Sequence, residues 1–472
     1  MTQPRLFLSP LLLFTFSLLI LTACRTPTPS PTPATTPTPS RTPRPTPTFT
    51  PSPTALEPPV LPVDLTGVVV TPTTSLNDLT LFGYTYQRTN GNRFLEGHGG
   101  AFEPVEVPLD SDPAWVVAVP LEGMGSLWAV VLEDGRVQGF ILREGFVTEV
   151  SIPPGQLPPG MPPLLRVARG VPSLIVPPIP SASTLTHPVV VQNDPTRSVF
   201  VDGNGDLVLW ENQEIGRLAL NIPLDARILQ DEQHRLLVLS EATTVYPHGV
   251  LGDAVEAASI SLVQTQPTYE LLWTAPMPEG KVVEGLAPIW ADLDGNGIRE
   301  IIVTASDENS GAQILVFDEH GDRIAAGPAI GRGFRWRHQL VVAPFDPAGK
   351  ILLADVLTPH IGGIVEFSEW VGDRLEVLAL LEDFSSHRIG SRNLDMALAG
   401  DFDGDGFTEL VVPNQEMNQL AYIQYVDGDA SVLFVDNLPA RLLTNLAGVA
   451  MEDGTLALGG GLEGGILQIW LP

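Results

Sequence analysis

From about residue 60 to the end of the chain, apolar residues come in short runs broken by Gly, Asp, Asn and Pro. Examples are 115–119, 127–132, 207–210, 236–239, 301–303, 314–317, 351–354 and 409–412. Runs of this length, rich in Val, Ile, Leu and aromatics and bounded by turn formers, predict β-strands. No stretch of a dozen residues keeps an apolar period of 3.6, so the body reads as all-β. Tight-turn chemistry joins several pairs of runs, at Asp134-Gly135, Asp202 to Gly205, Gly321-Asp322 and Gly428-Asp429.

Two stretches are near copies of one another. Residues 291–303 read ADLDGNGIREIIV and residues 400–412 read GDFDGDGFTELVV. Degenerate copies begin at Asp346 and Glu452, each a strand, an acidic loop and a strand. The resulting repeat of roughly 50 residues has room for four short strands, which is the signature of a β-propeller blade. Length predicts seven four-stranded blades, with six and eight left open because the units before residue 281 are too diverged to count. The last unit, from about residue 441, has material for three strands, so a strand from within 60–109 is expected to close the ring as a clasp.

Both intact loops place oxygen ligands at alternate positions: Asp292, Asp294, Asn296 and Glu300 in the first, Asp401, Asp403, Asp405 and Glu409 in the second. Glycines at the fourth and sixth positions permit the curl, and the main-chain carbonyls of Ile298 and Phe407 are expected to complete each cage. An all-oxygen, flexible donor set suits calcium better than magnesium. An EF-hand shares the early spacing but needs a Glu at position 12. Val303 and Val412 stand there, and a strand rather than a helix follows.

An acidic loop leading directly into an apolar strand resembles the FG-GAP or VCBS repeat of integrin α-type propellers. That resemblance is specific for the two intact loops and partial at Asp346 and Glu452. It implies a mainly structural calcium and a recognition surface on the opposite face of the disc. The Asp346 loop has Ala348 and Lys350 where acids are needed, so no metal is expected there. The 202–206 segment is expected to be a hairpin turn, with a weak third metal site as the alternative, and Asp253 and Glu256 to cap a turn rather than hold a cation.

The first 24 residues are a processing segment rather than part of the fold. Arg5 flanks a short apolar run that ends Leu21-Thr22-Ala23-Cys24, which resembles a bacterial lipobox. Cys24 is the single cysteine, so no internal disulfide is expected, and acylation there would anchor the protein in a membrane. Arg25 follows it, where the resembling lipoproteins retained in an inner membrane carry Asp. Residues 25–59, rich in Pro and Thr, read as an extended linker rising ~3.1 Å per residue. Residues 60–472 form the propeller domain. The organisation predicts an exported, lipid-anchored protein of the cell membrane or outer surface.

Charge narrows the partners. The chain carries 25 Lys+Arg against 55 Asp+Glu, a formal charge of −30. A field of that sign argues against nucleic acid. Within it, the loops expected opposite the calcium face concentrate Arg332, Arg335, Trp336, Arg337, His338, His360, His387, Arg388 and Arg392. Arginine forks beside an aromatic plane suit a carboxylate- or sulfate-bearing sugar, so an acidic glycan or a surface protein is the expected partner. The opposing reading pairs these arginines with acids such as Glu382 and Asp383 and packs Trp336 between blades. No histidine pair has zinc spacing, and no nucleophile elbow or phosphate loop appears. A binding module is therefore favoured over two alternatives: a lyase or hydrolase of anionic polysaccharide with His338, His360 or His387 as base, and a scaffold subunit of an envelope complex.

Overall fold

The computed structural model describes residues 80–100 and 103–471. The segments 1–24 and 25–59, with the Cys24 lipobox, lie outside the described residues. Among those described, the only helical turn is the three-residue 3-10 turn Pro278–Gly280, and no helix is long and apolar enough to cross a membrane. Everything else among the described residues is strand, turn or irregular, so the described body is all-β.

Strands adjacent in sequence pair antiparallel. Pro113–Leu121, Gly125–Leu132, Val137–Arg143 and Phe146–Val150 form one four-stranded meander, and the strands from Val189 to Ala219 form another. A 13-stranded sheet contains three further meanders, spanning 229–276, 289–326 and 337–382. Another covers 398–437. Leu442–Ala450, Leu456–Leu462 and Ile466–Leu471 make the last, and Glu103–Pro108 adds to its outer edge, antiparallel to Ile466–Leu471. A smaller sheet joins Thr80–Tyr84 to Leu164–Ala168 and Val171–Leu174.

The core lies between neighbouring meanders. Second strands such as Gly125–Leu132 and Leu456–Leu462 are buried along their whole length, whereas the outermost Glu214–Ala219 is largely open. One apolar cluster joins the 337–382 meander to the 398–437 meander, and another joins 113–150 to the C-terminal strands. Close approach decides some residues: a Cβ on Gly459 would come within 2.3 Å of the fully buried Trp128 ring of the neighbouring meander. Glycine there makes room for the indole.

The segment from Thr80 to His98 does something the repeat pattern does not announce: it runs past the first strands of successive meanders and satisfies their open edges. Gln230 N–H donates to Thr89 O at 2.9 Å and Trp290 N–H to Asn90 O at 3.0 Å. The Asn92 side chain brackets Val342, donating to its carbonyl at 2.8 Å and accepting its N–H at 2.9 Å. Gln87 brackets Gly448 in the same way, at 2.8 and 2.9 Å. Phe94–His98 then pairs parallel with Leu398–Asp401. An unpaired inner strand edge would leave buried N–H and C=O groups orphaned, and this segment supplies their partners.

Candidate metal loops and the opposite face

The two acidic loops each link the first strand of a meander to the second, Ile289–Ala291 to Glu300–Asp307 and Leu398–Asp401 to Glu409–Pro413. Positive φ at Gly295 and Gly297 (77° and 86°), repeated at Gly404 and Gly406, lets each loop curl on itself. Carboxylate oxygens of Asp292, Asp294 and Glu300 lie within 4.8 Å of one another, and so do those of Asp401, Asp403 and Asp405. Main-chain donors hold them in place. Asp292 accepts from the N–H groups of Gly295 (2.7 Å) and Gly297 (2.8 Å), and Asp401 from Gly404 (2.7 Å) and Gly406 (3.1 Å). Asn296 accepts from Ile298 N–H at 2.6 Å, and Asp405 from Phe407 N–H at 2.8 Å. The side chains of Ile298 and Phe407 themselves face solvent.

The glutamate at the end of each loop is the telling group. Glu300 Oε2 accepts Leu293 N–H at 2.8 Å and Glu409 Oε2 accepts Phe402 N–H at 2.7 Å. Glu409 is fully buried, and its second oxygen, Oε1, has no hydrogen-bond partner among the described residues. Burial, reinforced by the neighbouring aspartates, pushes Glu300 up to about 7 and Glu409 up to about 8. Such a donor set, oxygen throughout and short of positive charge, fits a hard divalent cation; an unpaired buried carboxylate oxygen is otherwise costly. Both groups can hold a metal ion.

The weaker copies behave differently. Asp346 Oδ1 accepts Ala348 N–H at 2.7 Å, while Lys350 turns to Glu369 at 3.1 Å rather than into the loop. Asp202 closes a hairpin turn, accepting from the N–H groups of Asn204 and Asp206 and pairing with Arg217 at 2.5 Å. Asp253 caps Val255 N–H at 2.8 Å. The Glu256 carboxyl caps nothing: the residue is 3% exposed, its side chain makes no hydrogen bond among the described residues, and it lies in the field of Glu284, Asp225 and Asp253. Burial first and those charges second push it up to about 9.

Loops between second and third strands, and the connections between meanders, leave the opposite ends of the strands. There the expected Arg and His residues divide into three sets. Trp336, only 2% exposed, packs with Val250, Leu251, Leu286 and Leu394 and donates its indole N–H to Glu284 O at 3.0 Å. It stacks on His338 (4.9 Å, 13°) and His360 (5.7 Å, 18°). Its ring is therefore covered by protein and offers no platform to a sugar. Arg337 is buried between Asp355 (2.9 Å) and Glu366 (2.6 Å), and Arg392 forks onto Asp225 (2.8 Å) and Asp253 (2.6 Å). Their charges are spent internally, on acids other than Glu382 and Asp383. Arg332, Arg335 and Arg388 are exposed, and none of them forms an ion pair among the described residues.

The histidines form a chain of defined tautomers. Ser391 O, a carbonyl, can only accept, so His387 Nε2 carries hydrogen across their 2.5 Å contact. His387 Nδ1 then accepts from His360 Nε2 at 2.8 Å. Burial lowers His387 to about 3 and His360 to about 4, and drives His338 well below the usual imidazole range. All three are neutral at pH 7. His338 and His387 are buried, and His338 Nδ1 is paired with Ser386 Oγ at 2.8 Å.

Sequence reasoning missed Arg93, Arg227 and Asp395, which meet in the interior from loops with no shared motif. Arg227 forks onto Asp395 at 2.9 and 2.6 Å, and Arg93 adds a bond at 2.7 Å. It also missed a cavity of 420 Å³ on the Arg/His side, lined by Trp115, Glu133, Leu185, Arg388, Arg392 and Leu443 among others. A second cavity, of 510 Å³, borders the first acidic loop and is crossed by the Arg299–Glu232 pair.

No protein-family model matches this chain, and no curated protein matches it in sequence. Solved structures do resemble it in shape. The WD40 domain of Toxoplasma gondii coronin is 8% identical, covers 84% of this chain and 87% of its own, and superposes with a TM-score of 0.42. A europium-containing methanol dehydrogenase, also 8% identical, covers 83% of this chain and 98% of its own with a TM-score of 0.51. Likeness at this identity speaks to architecture alone, and the architecture is an all-β fold of the propeller type.

Proposed function

We propose that this protein is an exported, lipid-anchored β-propeller that works as a binding module, with calcium in its two acidic loops and a recognition surface on the opposite face. Eight successive antiparallel groups support a ring of eight blades rather than the seven suggested by length, with Glu103–Pro108 as the closing strand of the last. The lipobox ending in Cys24 supports a membrane anchor, and the Pro/Thr-rich segment a stand-off from it. The two acidic loops, with the orphaned Glu409 Oε1, support calcium of the FG-GAP or VCBS kind, where it would stiffen the hairpin between first and second strands.

The observation that carries the recognition reading is the charge pattern of the opposite face. Arg332, Arg335 and Arg388, with no ion pair among the described residues, lie on loops that also expose Phe334 (48%) and Ile389 (73%), on a chain of net charge −30. Three free guanidinium groups focus an anionic ligand that the rest of the surface repels. Acidic glycans and acidic surface proteins share that chemistry. Retention of the chain on immobilised pectin, alginate and sulfated glycans is expected to fall at least tenfold in the Arg332→Ala/Arg335→Ala double variant. Absence of retention on every glycan sinks the glycan reading and leaves the scaffold role. Release of unsaturated, ultraviolet-absorbing products would instead make the protein a lyase.

A further inference from the structure

We propose that the 420 Å³ cavity beside Arg388 binds a single ring bearing a carboxylate, an assignment that rests on the recognition-face reading and narrows it to one pocket. The cavity is built where parts far apart in sequence converge. Pro113 to Trp115 open the first strand of one meander, Leu185 lies on a connection, Leu443 begins the last meander, and 388–393 is the connection before Leu398–Asp401. Asn393 Nδ2 donates to Ala114 O at 3.4 Å and ties two of these walls together. Its volume lies in the small-ligand range, roughly 300–1,000 Å³.

Its chemistry is asymmetric. Of the two arginines in the lining, Arg392 is neutralised by Asp225 and Asp253 and acts as a fixed wall. Arg388 is exposed and its guanidinium forms no ion pair among the described residues, and a guanidinium fork matches a carboxylate in two parallel hydrogen bonds. Trp115, Leu185, Leu443 and the prolines provide apolar contact. Glu133 at the same lining disfavours a second negative charge, so the fitting ligand is a monocarboxylate. The loop that carries Arg388 is already held in place. Ser391 N–H donates to Arg388 O, Gly390 N–H donates to Val250 O, both at 2.9 Å, and His387 Nε2 donates to Ser391 O. The main chain therefore needs little ordering on binding, and the cost falls on the Arg388 side chain.

A ring with one carboxylate can come from a uronic acid sugar or from an aromatic acid, and titration calorimetry of the full chain with methyl glucuronide and with phenylacetate separates the sources. At least one acid is expected to bind, tenfold or more tighter than its neutral amide, and to lose that margin in Arg388→Ala. Arg374→Ala, which removes an arginine paired with Glu376 elsewhere on the surface, is expected to bind as the parent does. The assignment is overturned if neither acid binds, if the amides bind equally well, or if Arg388→Ala and Arg374→Ala behave alike. Capture on glycans that depends on Arg332 and Arg335 would survive such a failure, so the wider face is judged separately.

Discussion

Arg93 and Asp395, 302 positions apart, meet at 2.7 Å in the interior of the fold, and Arg227 completes the ion triad from a third loop. Arg93 belongs to the segment that crosses the first strands, Asp395 to a connection between meanders, so the pair fastens the crossing segment to the meanders. Arg93 also donates to Leu340 O at 2.6 Å. One carboxylate thus serves two buried guanidinium groups.

Removing that carboxylate strands both arginines. Burial alone would raise the Asp395 carboxyl, but the charges of Arg227 and Arg93 and their hydrogen bonds outweigh it and hold it well below the usual carboxylate range. A depressed acid stabilises the fold above its unfolded value, near 4, and the gain is lost as pH falls toward the folded value. Asp395→Ala is expected to cost about 3–5 kcal/mol at pH 7, read as a drop in melting temperature that narrows in strong acid. An unchanged melt at pH 7 would remove the triad from the account of stability.

Glu256 has the opposite sign. Its folded value near 9 lies above the unfolded one near 4.5, so the folded state keeps a proton that the unfolded state gives up. Stability on this account is intact below pH 4.5 and declines as pH rises toward 9. Glu256→Gln should therefore raise the melting temperature at pH 8, by an effect on the order of 2 kcal/mol, and make no difference at pH 4. A variant less stable than the parent at pH 8 would show that the carboxylate is ionised and satisfied.

Calcium in the acidic loops would raise the melting temperature by mass action, by about 2.7 kcal/mol at a concentration one hundred times the dissociation constant. Asp294→Ala and Asp403→Ala should each remove part of the rise, and the double variant nearly all of it. Equal melting curves in chelator and in calcium would refute metal binding at both loops.

The Asn92 bracket on Val342 predicts a local cost. Asn92→Ala leaves the Val342 N–H and C=O without their partners in a buried setting, a loss of about 1–3 kcal/mol. Native-state hydrogen exchange at Val342 is the direct reading, since faster exchange there with the rest unchanged isolates the bracket from a general loosening.

Short-range information determined a good deal. Strand length, turn chemistry and the repeated acidic loop made the all-β architecture and the carboxylate clusters legible, because ligands at alternate positions of one curled loop are neighbours in sequence as well as in space. The split among the arginines was not legible. Arg337 and Arg388 look alike in a loop-by-loop reading, yet Asp355 and Glu366 claim the first and no described acid claims the second. Trp336 likewise suggested a binding platform until its neighbours from three other loops covered it. The crossing of Thr80 to His98 past successive inner edges, the triad at Asp395 and the cavity at Arg388 all depend on long-range closure. Local propensity and periodicity set which residues become strand and which become turn; which side chains are buried, paired or left free is fixed only when segments hundreds of positions apart pack together, because desolvation and ion pairing act through space rather than along the chain.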